Sequence, residues 1–187
     1  DSTGQKISTQ AIRDAVKMAR ENRLICFFPS GTYLVDDTIR CMKKSVFENG
    51  TWRTSNEVNQ LIGSAKKRPL IKIVPGAPRF QDPENPMPVF WLYAMSAWGQ
   101  QPDCEGSTDP LCGQSKVSFN QLVISIDFDL GGNPGAVAIR NPGAQGATIE
   151  DVRINAKGAF AGLFNPPGQA GGSYNVEIAV VIHICLG

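Results

Sequence analysis

From Ser8 to about Asn22 the apolar residues Ile7, Ala11, Ala15 and Met18, flanked by Ile12, Val16 and Ala19, recur at helical spacing and predict one amphipathic helix. Ser8 stands at the N-cap, and Ile7 and Ile12 fall at the two positions of a hydrophobic staple. After that helix the period shortens for good. LICFF, TYLVDDTIR, LIKIV, VFWLYAM, QLVISIDFDL, AVAIR, ATIEDVRI and YNVEIAVVIHI are short strand-like runs separated by Gly, Pro, Asn and Asp. Residues 43–68 and 99–116 lack periodicity and read as loops, the first with at most one short strand.

One frame is written twice. Set against GLFNPPGQAGGSYNVEI (162–178), AIRNPGAQGATIEDVRI (138–154) pairs Asn141 with Asn165, Pro142 with Pro166, Gln145 with Gln169, Val152 with Val176 and Ile154 with Ile178, an offset of 24 residues. The end of the frame recurs upstream as Gln121-Leu122-Val123-Ile124. A period in the range of roughly 20–50 residues marks a repeat architecture, in which each unit buries its apolar face against its neighbours. The L-x-x-L-x-L letters of a leucine-rich repeat are missing, and a propeller blade needs about 40 residues.

The expected fold is therefore all-β, a single-stranded parallel β-helix with an N-terminal capping α-helix over about 8–22. In it Val152, Ile154, Val176, Ile178, Leu122 and Ile124 point inward, and Val123, Arg153 and Glu177 point outward, with Arg153 beside Glu177. Gln121, Asp151 and Asn175 form a polar ladder at one turn, bonding backbone groups that the turn leaves over. The helix covers the exposed strand edges of the solenoid end.

Composition narrows the function classes. The formal net charge is +1, and Lys and Arg are scattered singly apart from KK at 43–44 and KKR at 66–68, both read as solvated loop charge; neither nucleic acid nor an anionic membrane is an expected partner. No apolar run approaches the roughly 20 residues of a membrane span, and the N-terminus is polar, so a signal peptide is absent or already removed. Of five cysteines, Cys104 and Cys112 bracket the turn-forming EGSTDPL and are the expected disulfide, while Cys26 in LICFF reads as a buried free thiol. One histidine and no Cys-x-x-Cys leave too few ligands for a zinc site, and no metal site is expected. Asn49-Gly50-Thr51 is a glycosylation sequon, which matters only if the chain is secreted from a eukaryote. Together these features lean extracellular.

The helix TQAIRDAVKMA, then LICFFPSGTYLVDDTI with its Phe-Pro-x-Gly-x-Tyr turn, then RPLIKIVPGAPRFQDPENPMPVF and FNQLVISIDFDLGGNPGAVAIRN, resemble the pectate lyase superfamily domain of rhamnogalacturonase-like and epimerase-like proteins and of glucan 1,3-beta-glucosidases. The resemblance runs to about Ile178. It implies a right-handed parallel β-helix and an extracellular polysaccharide as the partner. Residues 179–187 depart from the pattern, so the chain is expected to be one partial domain, coils about 24–178, cut short relative to the family.

Asp127 and Asp129 in SIDFDL lie two apart on a strand and share one face, outward if Ile124, Ile126 and Phe128 are inside. They are the candidate catalytic pair of a glycoside hydrolase, one carboxylate protonating the leaving oxygen and the other activating water; surface solvation is the alternative. A lyase would need a base for the proton alpha to a uronate carboxyl, with Arg140 or Arg153 binding the acid and Ca²⁺ on Asp127, Asp129 and Glu150 as the only cofactor it would call for. Trp91, Tyr93 and Arg153 are the candidate substrate-binding residues, with core packing as the alternative for the two rings; Trp98 is a third aromatic of that run. His183 has no nucleophile partner in view, and GAQGA at 143–147 lacks the Lys and helix of a phosphate loop. Two readings stand: a hydrolase or lyase acting on pectin or beta-glucan, and a non-catalytic carbohydrate-binding or adhesin-like β-helix.

Overall fold

The computed structural model describes residues 1–43, 45–54, 57–94, 118–168 and 170–180. Strand β1 (Thr3–Ile7) leads into helix α1 (Thr9–Glu21), and the strands that follow climb in parallel coils. The first coil holds β2 (Cys26–Phe28), β3 (Thr32–Val35) and β4 (Ile39–Lys43). An antiparallel hairpin, β5 (Ser45–Glu48) and β6 (Thr51–Thr54), separates it from the second coil of β7 (Gln60–Gly63), β8 (Leu70–Ile73) and β9 (Met87–Ala94). The third holds β10 (Leu122–Ile124), β11 (Asp127–Asp129) and β12 (Ala136–Arg140), the fourth β13 (Thr148–Asn155) and β14 (Ala161–Phe164), and β15 (Gly172–Ala179) opens the fifth.

Every pairing between coils is parallel, and the strands fall on three faces. The first face stacks β2, β7, β10 and the Thr148–Glu150 half of β13. The second stacks β1, β3, β8, β11 and the second half of β13. The third stacks β4, β9, β12 and β14. This is a parallel β-helix, and the 24-residue repeat is its fourth-to-fifth coil step, since Val152 lies opposite Val176 and Ile154 opposite Ile178.

The interior is a stack of apolar rungs. Phe28, Phe90 and Phe128 come from the first three coils, with Phe28 and Phe90 ring centroids 6.0 Å apart and Phe90 and Phe128 edge to face at 5.3 Å. Val152 and Ile154 are buried above them, and Cys26 is buried as a free thiol, as expected.

One expected frame is out of register. Leu122 lies opposite Thr148 and Phe128 opposite Ile154, so the third-coil equivalent of Val152-Arg153-Ile154 is Ile126-Asp127-Phe128 and the step there is 26 residues. Val123 is consequently inside with no exposed surface, while Leu122 and Ile124 stand on the outside, the reverse of the sequence expectation. The turn ladder shifts with it. Ser125, Asp151 and Asn175 occupy the corner between the first and second faces with φ of 55°, 53° and 49°, and Asn175 Nδ2 donates to Asp151 Oδ1 at 2.5 Å. Gln121 instead lies wholly buried at another corner, its Oε1 accepting from the Asn59 backbone N–H at 3.1 Å and from Asn59 Nδ2 at 2.9 Å. It is structural, but belongs to a different ladder.

Helix α1 covers the first coil through Ile12, Val16 and Ala19, with Ala11 and Met18 left exposed. Its rotation is set by polar anchors that the apolar stripe does not reveal. Arg13 pairs with Asp37 at 2.6 Å and donates to the Thr38 carbonyl, and the buried Arg20 donates to the Met42 carbonyl at 2.8 Å. Ser8 sits at the N-cap, yet its hydroxyl donates to Asp1 O and Lys6 O and caps nothing. Ile7 is more than half exposed, so the staple contributes little. The Phe-Pro-x-Gly-x-Tyr turn is held by Tyr33, whose hydroxyl donates to the Pro29 carbonyl at 3.0 Å. Gly31 lies where a Cβ would stand 2.5 Å from Ser2 O, and this close approach lets β1 add to β3.

Candidate functional site

The outer side of the second face carries two columns of register partners. One runs Leu70, Asp127, Arg153, Glu177, and the next Lys72, Asp129, Asn155, Ala179. Because strand side chains alternate, placing Phe128 in the core turns Asp127 and Asp129 out together on the same face. Each carboxylate is then met by a cation from the coil below and a donor from the coil above. Asp127 Oδ1 accepts from Arg68 Nε at 2.8 Å and from the Arg153 backbone N–H at 3.0 Å. Asp129 Oδ1 accepts from Asn155 Nδ2 at 3.0 Å and from the Gly131 N–H at 3.2 Å, with Lys72 Nζ 3.3 Å from Oδ2.

Arg153 continues its column by donating from Nε to Glu177 Oε2 at 3.0 Å, the pairing expected from the repeat. Both side chains are more than 60% exposed, 62% and 64%, which limits the pair to about 0–1 kcal/mol. Beside them Arg153, Asn155, Lys157 and Glu177, with the apolar Ile154, Ile178 and Ala179, line an open groove of about 470 Å³ that begins at the partner of Asp129. Carboxylates, cations and amide groups thus share one accessible surface.

A profile of the family described as rhamnogalacturonase A/epimerase, pectate lyase-like matches residues 1–171. The chain belongs to that family. No curated protein sequence matches it significantly. Membership in a pectate lyase-like family associates the chain with polysaccharide-acting proteins and agrees with the parallel β-helix.

In this rhamnogalacturonase/epimerase-like chain, Trp91 and Tyr93 are 0% and 1% exposed and lie on the third face, away from the carboxylates. They are therefore packing residues here and present no platform to a sugar. Trp91 is stacked between Arg40 and Arg140, whose guanidinium carbons lie 4.5 and 4.9 Å from its ring centroid. Register places Arg40, Trp91, Arg140 and Phe164 in one column, so Arg140 is likewise removed from the surface it was expected to serve. Trp98, Cys104, Cys112 and His183 lie outside the described residues.

Arg68, Lys72, Asn155 and Lys157 join this surface without standing out in the sequence. Arg68 departs from the solvated reading of KKR: its side chain is only 18% exposed and is bound to Asp127. The signal was its place two residues before a strand whose outer partners are acids. Lys43 also departs from the solvated reading, being buried, with burial lowering its pKa against the opposing pull of Glu57. Neither described thiol is an activated nucleophile: burial pushes Cys26 up to about 11 and raises Cys41 as well.

Calcium does not fit the described residues around Asp127 and Asp129. Among the described residues no three carboxylate, histidine or cysteine side chains converge on one point, and the oxygens of Asp127 and Asp129 face Arg68 and Lys72.

Proposed function

We propose that this chain is a polysaccharide-active β-helix domain that takes its glycan across the outer side of the second face, with Asp127 and Asp129 as reacting carboxylates and Arg153 as a binding residue. The observation that carries the reading is the side-by-side placement of the two carboxylates on β11, beside an open groove whose rim carries Arg153, Asn155, Lys157 and Glu177. Same-face neighbours on a strand stand about 6.5–7 Å apart at the backbone, at the short end of the separation used by inverting glycosidases. Oδ1 of Asp127 is engaged twice, which holds the carboxyl in one orientation and leaves Oδ2 to face the glycan. In hydrolysis Oδ2 activates the water while Asp129 serves the leaving oxygen; in elimination Oδ2 takes the proton alpha to a uronate carboxyl that Arg153 neutralises.

The supporting context is family membership, and an extracellular setting follows from the same reading. A screen of pectins and beta-glucans, scored for new reducing ends and for unsaturated products absorbing in the ultraviolet, separates hydrolysis from elimination. Silence on every glycan overturns the enzymatic reading.

A second reading, a carbohydrate-binding β-helix without turnover, is favoured by the ion pairs themselves, since Arg68 and Lys72 satisfy both acids without any substrate. It predicts glycan binding that survives Asp127→Ala with Asp129→Ala, and no turnover in either protein.

A further inference from the structure

We propose that Asn49 is an acceptor for an N-linked oligosaccharide, a role separate from the carboxylate surface. Asn49 and Gly50 are the two central residues of the β5–β6 hairpin, with Glu48 opposite Thr51 and φ of 50° and 76°. Positive φ at both central positions is the type I′ turn, which accounts for Asn-Gly by backbone geometry alone. Thr51 is what the turn does not require, and Thr two residues after Asn completes the acceptor sequence. Residues 47–51 are all exposed, and a Cβ added at Gly50 would meet nothing within 4 Å. A branched sugar on the Asn49 amide therefore projects from an exposed turn into solvent.

The transfer balances with a lipid-linked oligosaccharide pyrophosphate as donor. The Asn49 Nδ2 forms a bond to C1 of the first sugar, the C1–O bond to the pyrophosphate breaks with its electron pair leaving on the lipid, and the amide loses one proton. The hairpin leaves the coil at the end of β4, on the third face, whereas Asp127, Asp129 and Arg153 lie on the second. The sugar thus leaves the proposed glycan surface open.

The test is to secrete the full chain from a eukaryotic host and map the Asn49 peptide before and after peptide-N-glycosidase treatment. The expected result is one oligosaccharide on the intact mass, removed by the glycosidase with Asn49 converted to Asp. Thr51→Ser retains the modification, and Thr51→Ala, which leaves the Asn-Gly turn in place, abolishes it. Secreted wild-type chain with unmodified Asn49, or sugar that persists in Thr51→Ala, overturns the proposal. Glycan turnover by the unmodified and modified chains is expected to be equal, so this result stands apart from that of the activity screen.

Discussion

Asn175 Nδ2 donates to Asp151 Oδ1 across 24 residues of sequence, and both residues hold a left-handed backbone at the same corner of successive coils. Asn and Asp tolerate that conformation; most other side chains lose about 1–2 kcal/mol in it. Asp151→Ala removes the side-chain bond and keeps the strained φ, so a loss of about 1–2 kcal/mol is expected, allowing for the exposure of the pair. Asp151→Gly relieves the strain and should be the milder of the two. Urea midpoints of the three proteins decide the order; equal loss for Ala and Gly would contradict the ladder's conformational role.

The helix cap is tied down by charge. Asp37 is bound by Arg13 at 2.6 Å and by Arg79 at 2.8 Å, which joins α1 to the segment between β8 and β9. Partial burial pushes its carboxyl up, but the hydrogen bonds from Arg13, Arg79 and the Thr38 N–H outweigh this and hold it below the usual range. A carboxyl lowered in the folded state contributes above its unfolded pKa, about 3.9, and loses that contribution as pH falls through the lower folded value. Asp37→Asn should therefore cost about 1 kcal/mol of stability at pH 7 after discounting for solvent screening, and the difference from wild type should shrink as pH falls through the lowered folded value. A difference that is constant with pH would overturn this account.

The interior depends on its aromatic rungs. Phe128 is 2% exposed and meets Phe90 edge to face. Phe128→Ala is expected to cost about 3–5 kcal/mol, the usual range for emptying such a site, and Phe128→Leu much less. Denaturant melts of both variants check it.

Much of this architecture could be read from the letters because the fourth and fifth coils repeat without insertion, so Arg153 and Glu177 meet where the frame puts them. The third coil departs from the frame for a physical reason. Leu122-Val123-Ile124 is apolar throughout and carries no alternation, so it imitated Val152-Arg153-Ile154 although Ile126-Asp127-Phe128 is the true equivalent. The left-handed residue at Ser125 resets which side faces inward, and a Ser gives no warning of positive φ. Trp91 and Tyr93 carried a usable signal: MPVFWLYA is apolar on both faces, the mark of a strand covered on both sides, and every residue of β9 is buried. The candidate surface was half legible. Asp127 and Asp129 stand out by spacing, whereas Arg68 and Lys72 reach them from the preceding coil, a neighbourhood that only the register reveals.

Removing the cation beside Asp127 probes that neighbourhood. Arg68→Ala should cost about 1–3 kcal/mol of stability, the range for removing a charged hydrogen-bond partner from a largely shielded pair, and leave the chain folded. Turnover should nevertheless fall by about tenfold or more, since Asp127 loses the group that orients it. An unchanged kcat would remove Asp127 from the reaction.

The most direct test is product formation by Asp127→Asn and Asp129→Asn, singly and together, on whichever glycan the wild-type chain cleaves, with folding verified by matched melting curves. Loss of a positioned acid or base removes about 100-fold to 10,000-fold in rate, so each variant is expected to fall by at least about 100-fold while glycan binding changes little. Product released at the wild-type rate by the folded double variant would contradict the claim that the outer side of the second face carries the chemistry.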